Sequence, residues 1–360
     1  MVGGQTGKGW DMRVVVVGAT GNVGTSLVRA LSADPAVTSI VGVARRPPEW
    51  VLPKVEWTAA DVSRDDLTGP LKGADVVVHL AWLIQPSHRL DVLEATNVTG
   101  SKRVFEATAE AGAKALVYAS SVGAYSVGPK DRPVDESWPT EGIPTSFYSR
   151  HKAATERLLD RFESDHPSVR VVRMRPGLIF KREAASGIRR LFVGRLLPPP
   201  LLRPSRIPLV PRTERLVFQA VHTEDVADAY RRAIVGDVRG AFNIAADPVL
   251  DPDELGRILG AKPVPVPAQA LRVFADLSWR AHAQPTPPGW VDLAVGVPVL
   301  DTTRARTELG WQPTRTSGEA LRELLEGLAD KAFGPTPALA RGGWWAPAIT
   351  PVTPQVPASS

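Results

Sequence analysis

The 360-residue chain has no cysteine. Disulfides and thiolate metal sites are therefore excluded, and the composition suits a cytoplasmic protein. No metal centre is expected. Long apolar runs are also missing. No window of about 18 consecutive apolar residues occurs, so no membrane partner or spanning helix is expected. The opening "MVGGQTGKGWDMR" lacks the charged-then-apolar profile of a signal peptide. Although the formal net charge is +5, no long Lys/Arg block is present. The arginines are scattered, which argues against a nucleic-acid partner and leaves a few of them for an anionic small molecule. No internal repeat is visible.

The chain is 43% hydrophobic, enough for one large or two modest cores. Its first half alternates strand and helix texture. Apolar runs at 13–17, 39–44, 55–58, 74–80, 115–119 and 169–174 read as strands, and the run "VVVV" at 14–17 has the character of a strand buried on both faces. Helical periodicity covers 22–33, 90–112 and 147–164. This rhythm predicts an α/β fold, a doubly wound parallel sheet of the Rossmann kind with right-handed crossovers. After Arg175 the texture changes. Residues 185–218 are rich in Arg, Leu and Pro, reading as loops and extended pieces with apolar side chains on offer. Helices are expected at 223–235, 252–259 and 317–332 and a strand at 241–245. The resulting plan is a leader (1–12), a dinucleotide-binding domain (13–180), a smaller C-terminal α+β substrate-binding region (181–333) that returns some elements to the core, and a proline-rich, disordered tail (334–360).

Between the first strand and helix stands "GATGNVG". Gly18 allows a tight turn, Gly21 lets the backbone approach a pyrophosphate, and Gly24 lets the helix pack closely on the sheet. The helix N-terminus then offers free N–H groups and a positive dipole end to phosphate. Thr20, Asn22 and Val23 belong to the same cofactor loop. A glycine-rich turn can also be only a turn; the strand before it and the amphipathic helix after it favour binding. At the end of the second strand, where an acid reads the ribose of NAD, the chain has Arg45 and Arg46. Guanidinium groups suit a 2′-phosphate, so the expected cofactor is NADP, with NAD as the alternative. Asp61 and Val62 follow the third strand and are candidates for the adenine, although a short Asp also caps turns.

Downstream lie Asn97 in "NVTG", Ser120 and Ser121 in "YASSVGAY", and Tyr148 and Lys152 in "FYSRHK". A Tyr and a Lys at i and i+4 share one helix face. An ammonium beside a phenol is expected to lower its pKa, and a serine hydroxyl can hold the substrate oxygen during proton transfer. These are the needs of carbonyl–alcohol interconversion by hydride transfer.

Together these pieces resemble the extended short-chain dehydrogenase/reductases, the NAD-dependent epimerase/dehydratase family. The resemblance rests on "GATGNVG", "DV" at 61–62, "ADVVVHLAW", "NVTGSKRVFEA", "LVYASSVGAY", "YSRHK", "VRMRPGLIF", "VHTEDVADAY" and "DTTRARTELGWQPT", and covers about residues 13–330. It implies Ser121, rather than Ser120, as the catalytic serine, Tyr148 as general acid/base, Lys152 as the group that binds the nicotinamide ribose, and Asn97 as support of the proton relay. It also implies that Leu80, Ala81, Trp82, Pro176 and Leu178 line the nicotinamide end, that His222 is structural, and that two long helices can pair in a homodimer. Sugar-nucleotide enzymes of this family often carry an Asn after the sixth strand and an Arg shortly before the "VH" histidine. Here those positions hold Pro176, Leu178 and Phe218, with Arg215 close by. The expected activity is therefore NAD(P)-dependent oxidoreduction of a small, fairly apolar substrate. A nucleotide-sugar epimerase or dehydratase and a non-catalytic dinucleotide sensor are the alternatives.

Overall fold

The computed structural model describes residues 11–84, 89–189, 202–281 and 286–340. Strands from both halves of the chain form one seven-stranded parallel sheet, in the order 240–244, 170–176, 115–119, 76–79, 12–17, 37–44, 55–59. Strand order reverses on either side of Met12–Val17, which opens a crevice at the carboxyl ends of the central strands. The valines explain why this strand is central: Val14, Val15 and Val16 are fully buried and split between the two layers, Val14 and Val16 toward one helical layer and Val15 and Val17 toward the other. Ridges on both faces require helices on both faces. Asn22–Ala33 and Thr223–Val235 cover the first, and Gly100–Glu110 and Phe147–Asp165 cover the second. The doubly wound parallel sheet is thus the observed fold.

The stretch read as one helix over 90–112 is interrupted. Leu90–Glu94 passes into a π-helical turn, Ala95–Thr99, before Gly100–Glu110 resumes the α-helix. The wider turn brings Asn97, fully buried, inward. Its side-chain Oδ1 accepts from Leu83 N at 2.7 Å and its Nδ2 donates to Leu83 O at 2.8 Å. Such bulges are frequent at functional sites because they aim a side chain that a regular helix would leave elsewhere.

Beyond 176 the chain builds small parallel pairs rather than plain loops. Leu178–Phe180 pairs with Ala220–His222, and Leu209–Arg212 pairs with Lys262–Pro265. Within 185–218 the described residues include a helical turn at Ala185–Ile188 and a 3-10 turn at Pro204–Arg206, so the reading of this stretch as loops is only partly right. Residues 190–201, which carry half of its prolines, lie outside the described residues, as does nearly all of the expected leader. Two further helices, Ala268–Arg280 and Gly289–Gly296, were not expected. The stretch expected to be a loose tail begins, at 334–340, as packed chain. Thr336 and Leu339 are buried, and the Thr336 hydroxyl donates to Thr20 O at 2.8 Å. Apolar burial and one buried hydrogen bond hold this strap on the glycine loop; 341–360 lie outside the described residues. Among the described residues no helix is long and apolar enough to cross a membrane.

Under the sheet's carboxyl end, Phe147–Asp165 contributes a buried carboxylate. Glu156 accepts from Arg175 Nε at 2.9 Å, from Arg173 Nη1 at 3.0 Å and from the Ser120 hydroxyl. Burial works against its charge, but the Arg175 and Arg173 guanidiniums outweigh this and hold Glu156 below its usual value. Its contribution to stability is therefore present at neutral pH and fades as pH falls. Breaking a buried ion cluster leaves charge uncompensated. Glu156→Gln is expected to cost about 3 kcal/mol, read as a lower urea midpoint. An unchanged midpoint would contradict the cluster.

Candidate active site

The glycine loop opens the crevice. Gly18 has φ +89, and a Cβ there would lie 2.5 Å from Ala81 N, so the turn and the close approach of the neighbouring strand end both demand glycine. The following helix starts at Asn22 with Gly21 as N-cap and no side-chain cap, which leaves its first N–H groups for an anion. A glycine loop with no room for a side chain at Gly18 or Gly24, followed by an uncapped helix start, fits a pyrophosphate. The cleft in front of it is lined by the glycine loop and by residues at the ends of the neighbouring strands.

Most of the expected cofactor residues meet in this cleft. Gly18, Thr20 and Gly21 form its floor. Arg45 and Arg46 stand on one side with Asp61 and Val62, and Leu80, Ala81 and Trp82 stand on the other. Others do not meet there. Asn22 is turned to the C-terminal half of the chain, donating from Nδ2 to Ile179 O at 3.3 Å and accepting from Thr223 Oγ1 at 3.1 Å. Val23 and Gly24 lie in the first helical turn, outside the cleft wall. Pro176 is in the strand Arg170–Pro176 and Leu178 is 40% exposed beyond it; neither lines the cleft. Asp61 points its carboxylate at the N–H (3.0 Å) and hydroxyl (2.7 Å) of Ser63, capping its own turn. Sequence reasoning missed Val17, Val43, Ala44, Ala60 and Leu83, and also Thr96 from the π-turn and Ala338 from the C-terminal strap. No local signal marks the last two, which arrive through the bulge and the strap.

Behind the Trp82 wall lies the Ser–Tyr–Lys group. Ser121 follows the strand Ala115–Ala119; its Oγ accepts from Gly123 N at 3.0 Å, and it and the Tyr148 ring both border Gly123. Gly123 is required here, since a Cβ would meet the Tyr148 ring at 2.7 Å. Ser120 turns the other way, to Glu156. Lys152, one turn after Tyr148 and only 3% exposed, donates to Ala119 O at 2.6 Å. Its ammonium lies 3.5 Å from the centroid of the Trp82 ring. Burial pushes the Lys152 ammonium well below its usual value, while Glu156 pulls it back up. Burial also pushes the Tyr148 phenol up to about 12, with Ser121 acting in the opposite direction. The expected lowering of Tyr148 by Lys152 is thus not the dominant effect: removing both groups from water outweighs their proximity.

The Asn97 carboxamide is spent on the Leu83 main chain, so Asn97 positions the segment beside Trp82. His222 caps the helix Thr223–Val235, its Nδ1 accepting from Glu224 N at 3.2 Å, while Nε2 faces Glu323. The surroundings of Tyr148 are aromatic and apolar. Its ring lies 5.2 Å from that of Trp290 and packs with Val122 and Ile84 against Leu83, Ile143, Phe147 and Leu293. Trp290 comes from the unexpected helix Gly289–Gly296.

Known proteins share this fold. The model of the NAD dependent epimerase/dehydratase family matches residues 14–245. The chain is 28% identical to UDP-glucose 4-epimerase of Mycolicibacterium smegmatis, over 89% of this chain and 100% of that one. It is 27% identical to the decarboxylating sterol-4-alpha-carboxylate 3-dehydrogenase of Saccharomyces cerevisiae, over 49% of this chain and 55% of that one. The solved structure of MoeE5 in complex with UDP-glucuronic acid and NAD shares the fold, with a TM-score of 0.66 at 23% identity, covering 89% of this chain and 99% of MoeE5. With the family model spanning the glycine loop, the Ser–Tyr–Lys group and the sheet as far as residue 245, the chain belongs to the NAD dependent epimerase/dehydratase family.

Proposed function

We propose that this protein is an NAD(P)-dependent oxidoreductase acting on a carbonyl or alcohol of a small, fairly apolar substrate, with NADP as the preferred cofactor. One observation carries the reading: Tyr148 and Ser121 meet beside Gly123, Lys152 lies one turn away, and an apolar cluster walls the tyrosine. Bound nicotinamide supplies the hydride acceptor or donor. Tyr148 exchanges a proton at the substrate oxygen, Ser121 holds that oxygen, and Lys152 binds the ribose. Gly18, Thr20 and Gly21 hold the pyrophosphate, with Ala81 and Trp82 toward the nicotinamide end.

A nucleotide-sugar diphosphate asks for bidentate cations. Several arginines of the substrate half are already engaged. Arg203 and Arg212 pair with Asp330 and Asp253, and Arg215 donates to Gly128 O and Val295 O. Phe218 is bridged to Leu250. The sterol dehydrogenase among the relatives supports an apolar substrate. The full-length match to UDP-glucose 4-epimerase supports the second reading, in which hydride returns to the same molecule. The two differ in net change of nicotinamide absorbance during turnover. For the cofactor, Asp61 is occupied by Ser63, while Arg45 and Arg46 line the adenosine end of the cleft, which supports a 2′-phosphate ligand.

Two outcomes are expected. Tyr148→Phe should lower kcat for reduction of an apolar ketone about a hundredfold or more and leave the dissociation constant of the cofactor within about twofold; full turnover by this variant would refute the role. Titrations should show tighter binding of NADPH than of NADH, and Arg45→Asp should erase or reverse the preference. Equal affinities in the parent protein would refute NADP selectivity.

A further inference from the structure

Trp82 stands between the cofactor cleft and the lysine. It lines the cleft with Leu80 and Ala81, whereas Lys152 and Tyr148 do not. The face of its indole covers the Lys152 ammonium, Nζ lying 3.5 Å from the ring centroid, and its edge meets the Tyr148 ring at 6.1 Å and 78°. Among the described residues, Ala119 O is the one hydrogen-bond acceptor of Lys152 Nζ. An ammonium has three donors, so the face under the indole is where further acceptors would dock. The backbone beside Trp82 is pinned by the two hydrogen bonds between Asn97 and Leu83. The indole is not: its Nε1–H is buried and has no partner among the described residues. Rotating the side chain therefore breaks no hydrogen bond, while it uncovers a cation.

We propose that Trp82 gates Lys152: the indole and the nicotinamide ribose compete for the same face of the ammonium, so the nicotinamide half of the cofactor docks only when the indole swings aside. This rests on the dinucleotide reading above. Trp82 is then a positioning residue that weakens cofactor binding and keeps the lysine dry until the cofactor arrives. A cation–π contact out of water is strong enough for this to matter at the level of affinity. The adenosine half of the ligand, bound at Arg45, Arg46 and the glycine loop, lies away from the indole and should not sense it.

Calorimetric titration of wild type, Trp82→Phe and Trp82→Leu tests the gate without any turnover. Two ligands are used: whichever of NADP+ and NAD+ the wild type binds more tightly, and ADP, which ends before the nicotinamide ribose. Trp82→Leu should bind the dinucleotide on the order of tenfold more tightly than wild type, Trp82→Phe should fall between, and ADP should bind all three equally. Unchanged or weaker dinucleotide binding by Trp82→Leu, with ADP unaffected, would overturn the gate. So would an equal change for both ligands, since the effect would then not belong to the nicotinamide half. If neither dinucleotide binds the wild type, the functional reading itself fails.

Discussion

The site depends on one constraint: an ammonium held almost out of water, with no carboxylate touching it. Lys152 manages this through its place on the helix Phe147–Asp165. Tyr148, Lys152 and Glu156 recur every fourth residue and so share one face. Glu156, at the foot of the row, is itself held by Arg173 and Arg175 from the adjacent strand and by Ser120. That anchors the helix against the sheet and supplies a favourable potential one turn below the lysine. At the level of the lysine, Ala119 O and the Trp82 face complete the environment. The carboxylate stays a turn away, which leaves the ammonium able to take a new ligand rather than being locked in an ion pair.

The same dryness governs Tyr148. A phenol in water near a lysine titrates readily. Here burial raises Tyr148, and it works against the charge of Lys152 while Glu156 supports it. The apolar wall of Trp290, Phe147, Ile143 and Leu293 keeps the phenol out of water and so favours its neutral form. Fold and chemistry are linked here, because the helix that brings Trp290 is also the one that closes this wall.

Much of the cofactor half was legible in the sequence. The helix bounds 22–33, the strand 115–119 and the glycine loop between two apolar elements follow from local pattern, and the parallel sheet follows from their alternation. What escaped depends on distant contacts. A π-turn inside an unbroken helical pattern exists because Asn97 finds Leu83, far away in the fold. Glu156 reads in sequence as a solvated helix acid, and only the arginines arriving from 173 and 175 make it a buried anchor. The helix carrying Trp290 is short and flanked by prolines, so it offers little periodicity. The pairs 178–180 with 220–222 and 209–212 with 262–265 join short segments across long loops. The strap at 334–340 looks like tail composition, and its docking rests on Thr336 and Leu339 alone among otherwise unremarkable residues.

The dryness of the site can be measured directly. The chain has four tyrosines, and burial raises Tyr118, Tyr125, Tyr148 and Tyr230 alike. Alkaline titration of tyrosinate absorbance should therefore show almost no ionisation of the folded protein at pH about 10, where free tyrosine is half ionised. The stability that these neutral phenols provide should be lost only as pH rises from there toward about 12. If instead one tyrosine ionises near pH 10 while the protein remains folded, and Tyr148→Phe removes that step, the Tyr148 phenol is wet and the account is contradicted.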